Sequence, residues 1–188
     1  MKKLGTDEER KVFCKILKMK KEDTYHKFED IVKDTTGYEV LEPKQKHISF
    51  LQIKSLEYKE IYNNSKNTSL TPNGKGHKIE DGFRKYCLEK VTGGKGNGYP
   101  DAQISKNIFK TIPYVEIKSF STKHKSSSMR AFYYSSTDKI SRSTEHYLVG
   151  FELNNLNNII DIHIKANNKL PINTRIEGNA SYKDMWDL

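Results

Sequence analysis

Tyr114-Val-Glu-Ile-Lys-Ser-Phe120 alternates with period two, which predicts a β-strand. Its Tyr114, Glu116 and Lys118 share one face, and Val115 and Ile117 share the other. The apolar side can enter a core while Glu116 and Lys118 project together into a cleft. A second short run, Asp101 to Ile104, begins directly after Pro100. Between the two, Ser105-Lys-Asn107 is polar and turn-compatible, so the runs can fold back as a hairpin. That hairpin brings Asp101 beside Glu116. Two adjacent carboxylates repel, and a bound divalent cation is the usual remedy.

Pro100-Asp101 followed by Glu116-Ile117-Lys118 resembles the PD-(D/E)XK signature of the restriction-endonuclease-like nucleases, over about residues 76 to 153. The resemblance implies an α/β fold: a mixed central β-sheet flanked by helices, with a helical N-terminal part. It implies Mg2+ held by Asp101, Glu116 and the backbone carbonyl of Ile117. Lys118 would then orient the attacking water and offset charge growing on the phosphate. Members often carry a metal-facing Glu on the helix before the Pro-Asp element, and Glu80 occupies that place. A first-turn Glu favoured by the helix dipole is the plain alternative for Glu80. Within the superfamily the chain looks like a small type II restriction endonuclease. That implies hydrolysis of double-stranded DNA to 5′-phosphate ends, a homodimer, a prokaryotic cytoplasm, and a separately acting cognate DNA methyltransferase as a possible partner.

The rest of the chain is expected to serve this centre as one domain of residues 1–188. Residues 1–62 read as a helical front part, 76–165 as the α/β core and 166–188 as a C-terminal segment. Thr6-Asp-Glu-Glu9 resembles a capping box before Val12, Phe13, Ile16 and Leu17. A second helical run from about Asp23 has Tyr25, Phe28, Ile31 and Val32 on one face and Gly37 as its stop. Residues 38–62 are ambiguous: 48–53 fit a strand or a buried helix turn, and 56–62 look helical. The breaker-rich 63–76 segment reads as a loop, and 77–90 as a helix. Gly82 there lowers helix propensity and permits close packing. The stretches 145–153 and 159–165 read as strands, the first apolar enough to be central. The second places Asp161, His163 and Lys165 on one face.

Nucleic acid fits the charge. The chain has 33 Lys and Arg against 24 Asp and Glu, a net charge of +9, which favours a polyanionic partner. Between the Glu116-Ile117-Lys118 strand and residue 145, Lys123, Lys125, Arg130, Lys139 and Arg142 outnumber the single anion Asp138, with Tyr133 among them. These are the candidate DNA-contacting residues. The sequence has no apolar run long enough to span a bilayer and no signal-peptide pattern, so no membrane role is expected. Cys14 and Cys87 read as buried free thiols. A His-Asn-His nuclease built on His146, Asn154 and His163 lacks its flanking pattern. A repair or junction-resolving nuclease keeps the same catalytic core, and a non-enzymatic basic DNA-binding module explains the charge but not the carboxylate pair.

Overall fold

The computed structural model describes residues 26–65, 72–91, 99–124 and 139–172. The elements run β1 (His26–Lys27), α1 (Phe28–Thr36), α2 (Gln45–Asn64), α3 (Pro72–Cys87), β2 (Glu89–Lys90), β3 (Ala102–Gln103), β4 (Tyr114–Ser121), a 3-10 turn (Thr122–His124), β5 (His146–Leu153), β6 (Ile159–Ala166) and β7 (Pro171–Ile172). The expected helix over 6–17 and the tail beyond residue 172 lie outside the described residues. Strands β2-β3-β4-β5-β6 form one mixed sheet in that order, and β1 pairs with β7 in a small separate ribbon. Only β4 and β5 are parallel; the other neighbours are antiparallel. The three helices and the five-stranded sheet make the α/β architecture expected from the sequence. Among the described residues, no helix is long and apolar enough to cross a membrane.

The alternation of β4 divides the core in two. Val115 and Ile117 join Tyr147, Val149 and Phe151 of β5 beneath Leu51 and Tyr58 of α2 and Ile79 and Phe83 of α3. On the opposite face, Tyr114 packs with Phe28 and Val32 of α1 and with Tyr99. His146, at the start of β5, stacks parallel to Tyr99 and receives the edges of Phe28 and Tyr114. The Tyr99 hydroxyl meets its Nδ1 at 2.6 Å. As expected, β5 is central: its neighbours are β4 and β6, and seven of its eight residues are buried.

The helices depart from the sequence reading at their ends. α1 begins at Phe28 and not near Asp23, because His26 and Lys27 are held in register with Ile172 and Pro171. Its stop is as expected: Gly37 takes φ 78° and its N–H returns to the Lys33 carbonyl. Within the ambiguous 38–62 region, 48–53 resolves as helix and 56–62 is helical as expected, both within α2. Its inward stripe includes His47 and Ser55 beside Leu51, Tyr58 and Tyr62, while Ile53, Leu56 and Ile61 face outward. α3 starts at Pro72, five residues before the expected start, since Pro suits a first helical turn where no N–H partner is needed. The two glycines read as loop signals, Gly74 and Gly76, are therefore helical. Gly82 packs close, as expected: a Cβ there would clash with the Tyr58 hydroxyl. Cys87 is a free, half-buried thiol.

Gly82→Ala is expected to destabilise the fold by about 1–3 kcal/mol through overpacking against Tyr58, measured by urea unfolding; an unchanged midpoint would mean that the ring moves aside freely. His146 gives a pH signature. Burial, then Arg142, depress it from 6.5 to about 3. Between those values the unfolded chain binds a proton that the native chain does not, so this residue's contribution weakens as pH falls from about 6.5 towards 3. Relative to His146→Leu, the wild type should lose stability on the order of a few kcal/mol from pH 7 to pH 4. Parallel stability–pH curves for the two proteins would refute it.

Candidate functional site

The hairpin register puts the signature residues together. Ala102 pairs with Val115, and continuing one step sets Asp101 level with Glu116. The turn forms at the expected place, with the Asn107 and Ile108 N–H groups bonded to the Ser105 hydroxyl and carbonyl. Where β3 ends, the Asp101 carboxylate takes over the ladder: its Oδ2 accepts the Ile117 N–H at 3.0 Å. In an extended strand the N–H and C=O of one residue point to the same side. The Ile117 carbonyl is thus directed past the end of β3, towards the Asp101 side.

Lys118 closes the group. Its Nζ lies 2.6 Å from Glu116 Oε1 and 3.7 Å from Asp101 Oδ2. Glu116 is 3% exposed, and its second oxygen, Oε2, is buried without a hydrogen-bond partner among the described residues. Glu80 approaches from α3. It sits in the ninth position of that helix, well past the first turn, so a favourable helix-dipole placement does not explain it. The Ser119 backbone N–H supports its carboxylate, and its charge is felt by Lys118.

The electrostatics are those of crowded acids. Burial, then repulsion from Asp101, push the Glu116 carboxyl up to about 7 despite the attraction of Lys118. Burial also raises Glu80, with Lys118 opposing and Asp101 adding to the shift. Burial alone would lower the Lys118 ammonium, but Glu116 and Asp101 outweigh it and hold it above its usual range. Two carboxylates thus contact one ammonium, and a third, Glu80, acts on it electrostatically. The donor set is all oxygen: the Asp101 and Glu116 carboxylates and the outward-directed Ile117 carbonyl. A small hard cation fits that chemistry, and the unpartnered Glu116 Oε2 is an oxygen that such a cation would satisfy.

The candidate DNA-contacting residues are dispersed. Lys123 is exposed on the 3-10 turn directly after β4. Lys139 Nζ reaches the Pro100 carbonyl at 3.5 Å, next to the site. Arg142 is half-buried: its guanidinium donates to the Ile112 carbonyl and to Gln103 Oε1 and lies 4.4 Å from the Tyr114 ring centroid. Lys125, Arg130 and Tyr133 fall outside the described residues. One group was not assembled by sequence reasoning. His163 and Asp161 were placed on one strand face, but Glu152, which lies across from them on β5, was not connected to them. The β5–β6 register that joins them is not carried by local periodicity.

Residues 21–187 match the model of the Type II restriction enzyme MjaV family. No curated protein and no solved structure matches the chain.

The site geometry predicts opposite shifts from two single substitutions. Lys118→Met removes the cation that lowers Glu116, so the Glu116 carboxyl should titrate higher than in the wild type. Asp101→Asn removes a repelling charge, so it should titrate lower. Carbon-13 NMR of the side-chain carboxyl in metal-free protein reads both. Shifts of the same sign would contradict this arrangement of charges.

Proposed function

The chain belongs to the Type II restriction enzyme MjaV family, and we propose that it is a Mg2+-dependent nuclease of the PD-(D/E)XK type with Asp101, Glu116 and Lys118 at its reacting centre. Membership makes it an endodeoxyribonuclease whose substrate is double-stranded DNA. The observation that carries the finer reading is the contact of Lys118 Nζ with both carboxylates, 2.6 Å from Glu116 and 3.7 Å from Asp101. A non-enzymatic basic module gives no reason for a buried acid held so close to a second one.

Asp101, Glu116 and the Ile117 carbonyl would hold the cation. Bound Mg2+ supplies polarisation of the scissile phosphate and a more acidic water. Glu116 must shed its proton before it can serve as a ligand, and its raised range means that this occurs close to neutral pH. Cation affinity should therefore rise with pH through about 7. Glu80 adds a third carboxylate on the Lys118 side. Lys118 is placed to orient the attacking water and to donate to phosphate oxygens as their charge grows. The water oxygen bonds to phosphorus and gives up one proton to solvent, the bond from phosphorus to the 3′ oxygen breaks, and the 3′ oxygen takes up one proton. The products are 5′-phosphate and 3′-hydroxyl ends.

Lys123 and Lys139 flank this centre and suit phosphate contacts, together with Lys125, Arg130 and Tyr133 of the intervening segment. Arg142 anchors the start of β5's approach through Ile112 and Gln103; freed by DNA, its fork matches a guanine edge. A symmetric homodimer, one protomer cutting each strand, completes the reading. A cognate methyltransferase would act as a separate protein in the same prokaryotic cytoplasm.

Plasmid cleavage with Mg2+ and with chelator, followed by sequencing of the ends, tests this function. Discrete metal-dependent fragments with 5′-phosphates are expected. Asp101→Asn and Glu116→Gln should abolish them while leaving the circular dichroism spectrum unchanged. Lys118→Ala should slow single-turnover cleavage on the order of 10²-fold or more while DNA affinity in Ca2+ changes little. Near wild-type cutting by these variants would remove the assignment.

A further inference from the structure

A second group of metal-ligand side chains lies two strands away on the same sheet face. Lys118, Gly150 and His163 are in register across β4, β5 and β6. Two strand spacings separate Lys118 from His163, about 10 Å. Two residue pairs further along, and so on the same face, Glu152 of β5 stands opposite Asp161 of β6. Two acids paired directly across antiparallel strands repel each other. His163, two residues after Asp161, brings its ring to both. Its Nε2 is 2.9 Å from Glu152 Oε2 and 3.5 Å from Asp161 Oδ2.

Three features set this group apart from a simple ion pair. First, the spacing suits coordination: bonds of about 2.1 Å put neighbouring donors roughly 3.0–3.4 Å apart. All three donor atoms here lie within 4.8 Å of one another. Second, Asp161 is already aimed. Its Oδ1 accepts the Ile162 N–H at 2.8 Å, which turns Oδ2 towards the ring nitrogen. A fixed outer contact of this kind orients a metal-binding carboxylate. Third, the β5–β6 pairing shifts register between Glu152 and Leu153. Bulges of this kind re-aim side chains. A single N–H on Nε2 cannot serve both carboxylates fully, whereas one cation can.

We propose that Glu152, Asp161 and His163 form a second divalent-cation site, fitted to a first-row ion such as Zn2+ or Mn2+. An imidazole with two carboxylates matches those ions better than Mg2+, which favours oxygen alone. Binding displaces the Nε2 proton of His163 to solvent. Glu152 is 3% exposed and the other two are more open, so the ion enters from the β6 edge and ties that strand to β5. The site stands independently of the nuclease reading, because it shares no residue with Asp101, Glu116 and Lys118.

The two sites differ in one detectable way: only the second offers nitrogen. The test loads Mn2+ into the Asp101→Asn/Glu116→Gln protein, which lacks the first site, and records electron spin-echo modulation. One bound Mn2+ with nitrogen-14 coupling is expected. His163→Gln added to that protein should remove the coupling and weaken Mn2+ at least about tenfold. Asp161→Asn, a milder change at the strand surface, should weaken binding and keep the coupling. Circular dichroism confirms that each variant is folded. No bound Mn2+ in the folded double variant, or Mn2+ without nitrogen coupling, would reduce the group to an ion pair and overturn the proposal.

Discussion

Glu116 is a carboxyl group buried on the third strand of a five-stranded sheet, and the rest of the site is arranged around the difficulty of ionising it there. Water cannot solvate it, since it is 3% exposed. Its neighbour Asp101 makes ionisation harder, and Lys118, at 2.6 Å, makes it easier. The balance leaves the group close to neutral and not in the ordinary carboxylate range. An isolated acid of this kind would destabilise its fold by desolvation. Placed beside a second acid and an ammonium, it becomes a group whose protonation responds strongly to any added positive charge. Stability and function pull in opposite directions here, as they commonly do where ionisable groups are gathered in low dielectric.

The sheet can hold this group because of what β4 does on its other face. Val115 and Ile117 are fully buried against α2, α3 and β5, so the strand cannot slip by one residue without exposing both and turning Glu116 inward. Asp101 is fixed by a different device. β3 supplies only two ladder residues, and the Asp101 side chain continues the pairing by accepting the Ile117 N–H. One carboxylate is therefore aimed by the backbone of the same strand that carries the other. The aromatic group of Tyr99, Tyr114 and His146 seals the end of the sheet where the Pro-Asp turn enters.

Much of this was legible because the decisive signals were local. Period two in 114–120, a Pro before Asp101 and a turn at Ser105 suffice to bring two acids and a lysine together. The central strand 146–153 announced itself by the apolar run from Tyr147 to Phe151. Of α2 only the 56–62 part was legible as helix, and its first half stayed ambiguous because it breaks the rule that apolar residues face inward. His47 is buried through contacts with Tyr147 and Thr111, while Ile53 and Leu56 face outward, so no clean helical stripe appears. The start of α3 was obscured by two glycines, and Glu80 was misplaced with respect to its helix for that reason. Its approach to Lys118 depends on how α3 packs on β4. The Glu152–His163 pair depends on register between strands, a non-local property of the same kind.

The two charged groups on this sheet face are kept apart by a small residue and a large one. Gly150 lies between Lys118 and His163 in the register. A Cβ at that position would come within 3.3 Å of the Phe120 ring and 3.6 Å of the His163 Cβ. With glycine there, Phe120 can lean across β5 until its ring centre is 5.6 Å from that of His163. An apolar ring thus fills the row that separates the lysine-bearing strand from the histidine-bearing one. The half-buried ring stands between the Lys118 ammonium and Glu152. Without such a barrier a flexible lysine could serve either set of carboxylates. With it in place, the ion-pair contacts of Lys118 are with Glu116 and Asp101.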